Sequence, residues 1–181
     1  MATVNLLPNA DISNSPAWTI SSGSDVYAML DDDDSGHVAS DSSDIEATAT
    51  GKTCVVAMQD LDAGLSGATI NSVTTVVKHN NRGRNLTYVI NTAIITGSVL
   101  YEENTGTVNS NSSWQTTTFT TRTTSDGVHA WTFADINDLR LGLALTSHSG
   151  GTTGITYAYY IVDYTEAVAA ADNAVFFGAN F

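Results

Sequence analysis

The residues best suited to chemistry in this sequence are its acids. Asp31, Asp32, Asp33 and Asp34 stand side by side, and Asp60 and Asp62 form a second, smaller group. Clustered carboxylates offer the hard oxygen ligands that Ca2+ takes. The run Asp31-Asp32-Asp33-Asp34-Ser35-Gly36 nevertheless lacks the alternate spacing and the closing Glu of an EF-hand loop. Four adjacent like charges repel one another, so a solvated loop is the preferred reading, and Ca2+ is the one cofactor this chemistry suggests. The histidines, His37, His79, His129 and His148, are scattered and mostly adjoin turn residues. Each could act as a ligand or a base, but each reads first as an exposed loop histidine.

Motifs for covalent or phosphate chemistry are missing. The sequence has no Gly-x-Ser-x-Gly, no P-loop, no dinucleotide-binding glycine pattern and no His-Glu-x-x-His. Glycoside hydrolysis needs two carboxylates held across a cleft, and acids are too plentiful here for the sequence to single out a pair. A single cysteine, Cys54, excludes an internal disulfide and a multi-cysteine zinc site. Its neighbours Val55, Val56 and Met58 mark it as a buried, inert thiol. Trp18, Trp114, Trp131, Tyr157, Tyr159 and Tyr160 could stack on sugar rings, but a core of this size needs large residues and core packing is the stronger reading. No catalytic residue is expected, and the chain reads as a non-enzyme.

The elements that must position these residues follow from composition and period. The chain has 181 residues, 42% of them hydrophobic, enough for one domain with its own core. Only 14% are Asp, Glu, Lys or Arg, against a typical fraction of about 25%. Acids outnumber bases 19 to 6, for a net charge of −13. So few bases cannot neutralise a phosphate backbone, and an anionic membrane would repel the chain, so nucleic acid and membrane are excluded as partners. No apolar run approaches the roughly 20 residues that span a bilayer. The opening residues lack the basic and apolar regions of a signal peptide. Threonine is about 14% of the chain, and β-branched threonine favours strands over helix interiors.

Strands are expected over Asp25–Leu30, Lys52–Met58, Thr69–Lys78, from Leu86, over Thr96–Tyr101, Trp114–Thr120, from Leu139 and over Ile155–Tyr164, with shorter pieces between. The turn His79-Asn80-Asn81-Arg82-Gly83 separates two of them. Leu139, Leu141, Leu143 and Leu145 alternate with Arg140, Gly142, Ala144 and Thr146, the clearest period-two signal in the sequence. Ala134–Asp138 reads as a single helical turn capped by Asp135. Short strands with turns every 8–12 residues and no alternating helices indicate an all-β, single antiparallel β-sandwich, most simply jelly-roll-like. Residues 17–165 would form that sandwich, flanked by an extended N-terminal arm (1–16) and a C-terminal tail (166–181). The arm lies either in a groove or as a first edge strand. The tail docks on its own domain or on a neighbouring subunit. Val4, Leu6 and Leu7 in the arm, and Val175, Phe176, Phe177 and Phe181 in the tail, are the candidate interface residues.

Several segments carry a family likeness. They are Asn5-Leu6-Leu7-Pro8-Asn9-Ala10 followed by Trp18, the run ending Leu30-Asp31-Asp32-Asp33, and Ile70-Asn71-Ser72-Val73-Thr74 leading into Arg82-Gly83-Arg84. The last is Trp131-Thr132-Phe133-Ala134-Asp135-Ile136-Asn137-Asp138-Leu139-Arg140-Leu141-Gly142. With them the sequence resembles small jelly-roll virion proteins of tailed bacteriophages, of the marine and cyanobacterial phage type. The motifs are structural, so no functional residue carries over. The resemblance implies a capsid decoration (cement) protein that binds and stabilises the outer face of the major capsid shell. Its partners would be the major capsid protein and itself, as a homo-oligomer with a trimer favoured, and its place the virion. A tail- or fibre-associated carbohydrate- or receptor-binding module is the alternative; it expects some of Trp114, Tyr157, Tyr159 and Tyr160 to face solvent. A glycosidase or lyase on the same fold is a distant third. Removal of residues 1–16 or 166–181 is expected to weaken capsid binding while the sandwich stays folded.

Overall fold

The computed structural model describes residues 1–31, 43–83, 86–97, 99–110 and 113–167. The strands among them are β1 (Ala2–Leu6), β2 (Pro8–Asn14), β3 (Thr19–Ile20), β4 (Ile45–Ala47), β5 (Lys52–Met58) and β6 (Thr69–Asn81). They continue with β7 (Leu86–Thr96), β8 (Val99–Asn104), β9 (Val108–Ser110), β10 (Gln115–Thr118), β11 (Arg140–His148) and β12 (Thr153–Thr165). All pair antiparallel, in two sheets. Sheet A runs β10-β6-β12-β4-β3, with β1 beside the far half of β12; sheet B runs β2-β5-β11-β7-β8, with β9 also on β7. Taking β8 and β9 as one position, β4 to β12 supply the eight strands of a jelly roll. The first, eighth, third and sixth lie in sheet A, and the second, seventh, fourth and fifth in sheet B. The expected sandwich is therefore present.

Period-two patterning builds the core between the sheets. Cys54, Val56 and Met58 of β5, and Leu141, Leu143 and Leu145 of β11, point inward and are buried. They meet Val73 and Val77 of β6 and Ala158, Tyr160 and Val162 of β12 from the opposite sheet. Trp18 and Trp131 are also buried core residues, as their size suggested. Two polar links cross this apolar layer. The Tyr160 hydroxyl, on sheet A, donates to the Arg140 carbonyl of sheet B at 3.0 Å. His79 of β6 places Nδ1 2.7 Å from the Tyr88 hydroxyl of β7, and Nε2 2.8 Å from the Thr117 hydroxyl of β10. Each buried polar atom in these links is thereby satisfied rather than stranded.

Several expectations give way here. For residues 1–16 the edge-strand alternative holds over the groove: β1 pairs with β12 in sheet A, and β2 pairs with β5 in sheet B. Leu6 is buried in the core, Val4 packs partly against it, and Leu7 packs against Val76, Tyr157 and Tyr159, so all three are engaged within the domain. Removing them would take a strand from each sheet, so the truncated sandwich is expected to lose stability.

Asp25–Leu30 is not a strand. Tyr27–Met29 forms a 3-10 turn, because Val26, Met29 and Leu30 bury at helical spacing and Asp11 accepts hydrogen bonds from the Val26 and Tyr27 amides at 2.9 and 2.8 Å. The expected strand Thr96–Tyr101 instead spans a hairpin: β7 ends at Thr96, Gly97 takes a positive φ of 54°, and β8 follows. His79 lies inside β6, not in a turn. The helix α1 (Phe133–Asn137) is capped by Thr132, with Asp135 closing a capping box three residues on. Asp32 to Asp34, His37 and the tail residues Val175, Phe176, Phe177 and Phe181 lie outside the described residues.

Burial lowers the His79 pKa to about 4 from an ordinary 6.5. The unfolded chain therefore takes up a proton between those values while the folded chain does not. Stability from this residue is complete above about pH 6.5 and falls as pH drops toward 4, by roughly 3 kcal/mol. Imidazole signals of His79 should hold their neutral positions down to about pH 4 in an NMR titration; an ordinary histidine midpoint would refute the buried link. Deleting residues 1–16 should lower the thermal midpoint sharply or prevent folding, as read by circular dichroism.

Candidate functional site

The jelly-roll connections gather the polar residues at the two ends of the sandwich. At one end the β10–β11 connection, which includes α1, meets the β7–β8 turn and encloses an open cleft of about 710 Å³. Asp126, His129, Asp135 and Asp138 line it together with Ser125 and Thr132. Asp126 accepts hydrogen bonds from the amides of Val128 (2.9 Å) and His129 (2.6 Å), and its other oxygen lies 2.5 Å from His129 Nδ1. These donors hold the Asp126 carboxyl at about 2, and the same contact raises the pKa of His129, which is 78% exposed.

The remaining acids of the cleft are likewise tied to the main chain. Asp135 accepts from the Thr132 amide at 2.9 Å while the Thr132 hydroxyl accepts from the Asp135 amide at 3.1 Å. Asp138 accepts from the Gly97 amide at 2.9 Å, which joins α1 to the β7–β8 turn, and meets Arg140 at 3.3 Å. Ser125, Asp126 and His129 are the residue types of a nucleophilic triad, but the Ser125 hydroxyl donates to the His129 carbonyl at 3.5 Å and has no bond to the ring. A general acid needs a raised carboxyl pKa, and Asp126 moves the other way. Each of the three described acids of the cleft thus caps or ties a turn. Of the cleft residues the sequence singles out His129 and Asp135 but not Ser125 or Asp126, and Thr132-x-x-Asp135 is a legible capping box.

At the opposite end Arg82, following β6, forms ion pairs with Asp44 and Glu46 of the neighbouring β4 region. Asp44 is only 1% exposed, so its charge is compensated where water is excluded. Trp114 lies over Gly154, where an added Cβ would meet the indole at 3.4 Å and the Asn80 and Asp44 oxygens at 3.0 Å. Tyr157 and Tyr160 are fully buried and Tyr159 is 6% exposed, so of the four aromatics relevant to sugar stacking Trp114 alone is half-buried. His148 is partly buried and His129 exposed. Cys54 is buried, and desolvation pushes its thiol pKa far up, which keeps it unreactive. Asp62 caps a 3-10 turn by accepting from the Gly64 amide at 2.7 Å. Among the described residues no three His, Cys, Asp or Glu side chains come together as a metal site.

The outer face of sheet B differs from both ends. Val55, Ala93, Ile95, Gly142 and Ala144, with Leu100 of β8, line a shallow depression of about 210 Å³ that is chiefly apolar. Gly142 makes it possible, because a Cβ there would lie 3.0 Å from the Ala93 Cβ. Leu100 is 54% exposed at its margin, and Glu102 is the one acid among the lining residues. The alternation of β11 was legible in the sequence, but a small apolar outward row on three adjacent strands emerges only once their register is known.

Replacing Asp126 with Asn should return the His129 pKa toward its ordinary value by NMR titration, with no loss of fold. Thr132→Ala should cost about 1 kcal/mol in a urea titration, the usual weight of a helix N-cap. No family model matches the chain, and no curated protein sequence matches it.

Proposed function

We propose that this protein is a non-enzymatic structural subunit of a virion, a capsid decoration protein that docks on the outer face of a major capsid shell. The observation that carries the reading is the outer face of sheet B. It offers an open, nearly uncharged patch of small residues on a chain whose net charge is −13. An apolar surface of this kind, framed by polar positions, is the form a protein–protein contact takes. The described acids of the cleft are occupied in holding turns, which favours a binding subunit over a hydrolase. The likeness to small jelly-roll virion proteins supplies the identity of the partner.

A tail- or fibre-associated carbohydrate module is the second reading. It rests on Trp114, which is half-buried and meets Gly154 beside Asn80 and Asp44, and it is weakened by the burial of Tyr157, Tyr159 and Tyr160. One ring offers less stacking area than a platform of several.

Ala144→Arg and Leu100→Asp place charge on the patch without touching the core. Purified capsids mixed with either variant should show occupancy reduced by tenfold or more relative to the unaltered protein, counted by cryo-electron microscopy or quantitative gel. Equal occupancy would refute the reading, as would a handful of copies per particle, which would point to the tail.

A further inference from the structure

Sheet edges are where a β protein meets its own copies, because an edge strand presents unpaired N–H and C=O groups to any strand that approaches. Natural edges are blunted by bulges, proline, charge or brevity. The described edges here can be compared directly. On sheet B, β2 begins with Pro8 and breaks its register twice, between Pro8 and Ala10 and between Asp11 and Ser13. Its opposite edge, β8, carries Glu102 and Glu103. On sheet A, β3 has two residues. β1 ends where the chain crosses into β2, and there Gln59 takes both main-chain groups of Leu7.

β10 is short, at four residues, and its ladder with β6 shifts by one residue between Phe119 and Arg122, but within the strand it has no bulge, proline or charge. It pairs with β6 in unbroken register, from Gln115 with His79 to Thr118 with Val76. The stretch Ser113-Trp114-Gln115-Thr116-Thr117-Thr118-Phe119-Thr120-Thr121 contains no charge and no proline. Its direction is fixed by one bond: the Phe119 amide donates to the Thr75 carbonyl of β6 at 2.9 Å. Main-chain direction alternates along a strand. Thr117 and Gln115 therefore face β6 with Phe119, while the N–H and C=O of Thr116 and Thr118 face away from the sheet. Thr116 and Thr118 are both exposed. The side chains are sorted as well, with Thr117 bonded inward to His79 and Thr116 reaching Tyr157 on the outer face at 3.2 Å.

We propose that β10 is the edge through which two copies of this chain pair, antiparallel about a two-fold axis at Thr117. In that register Thr116 of each copy lies opposite Thr118 of the other, and each such pair exchanges both outward main-chain hydrogen bonds. Sheet A then continues from one molecule into the next. Charge selects the occupant. Two bodies of −13 repel wherever acids face each other, and an uncharged edge is where they approach at least cost. The sequence is also self-complementary, since threonine opposite threonine is a favourable cross-strand pair. Two-fold contacts of this isologous kind are the commonest in soluble assemblies. The pairing uses sheet A and leaves the sheet B patch open, so it stands or falls separately from docking on a capsid.

The test uses the full chain without capsids. Sedimentation velocity over a dilution series should show a monomer–dimer equilibrium, and hydrogen exchange at the Thr116 and Thr118 amides should slow as concentration rises. Thr118→Pro removes an outward donor that β6 does not use, a placement edge strands tolerate. Thr118→Glu keeps every donor but sets a carboxylate on each side of the axis. Both variants should be monomeric throughout the series, with circular dichroism and thermal midpoint close to those of the unaltered protein. If Thr118→Pro fails to fold, Thr118→Glu and the exchange data decide. A monomer at every concentration, a dimer that persists in Thr118→Glu, or a trimer in place of a dimer would overturn the proposal.

Discussion

The sandwich depends on the burial of β12. This strand of 13 residues is covered along almost its whole length and pairs with β6 on one side and with both β4 and β1 on the other. Where β4 ends and β1 has not begun, the Ala158 amide is taken by the Leu30 carbonyl of the 3-10 segment. A strand so enclosed has to satisfy its backbone completely, since an unpaired buried amide costs about as much as a lost hydrogen bond. That requirement recruits the N-terminal residues into the fold and fixes the hydroxyl of Tyr160 against the carbonyls of sheet B.

The same economy governs the acids. Of the chain's 19 carboxylates, five among the described residues are spent on local geometry. Asp11 holds the 3-10 segment, Asp62 a second such turn, Asp126 a loop, and Asp135 and Asp138 the two ends of α1. Each substitutes a side-chain oxygen for a missing main-chain partner. At these five positions acidity that looks from the sequence like a reservoir of ligands or catalysts keeps connections in shape. The outer face of sheet B, by contrast, carries little charge, with Glu102 the one acid at its depression.

What the sequence disclosed, and what it hid, divides by the range of the interaction. β5, β11 and β12 were legible because local period and β-branching determine them, and the burial of Trp18, Trp131 and Cys54 followed from size and neighbours. His79 was read as a turn residue because the Asn-rich stretch after it carries a turn signal. Its place is set instead by Tyr88 and Thr117, partners from two other strands. Asp25–Leu30 has strand-like composition, yet the carboxylate that folds it, Asp11, lies 15 residues before Val26. The cleft and the sheet B patch belong to the same class. They are made by register between strands distant in sequence, which no local pattern encodes.

The pairing of β1 with β12 has a consequence for how the chain comes to be folded. Ala2 is matched with Tyr164, and Leu6 with Tyr160. These partners are nearly the first and nearly the last residues of the sandwich to leave a ribosome. Until β12 is made, β1 has no ladder to join, and β6 lacks its principal neighbour. Sheet A is thus a late, non-local product, assembled at the cost of closing the longest loops in the chain. Through synthesis the growing chain would carry Val4, Leu6 and Leu7 uncovered until their partners in β12 are made.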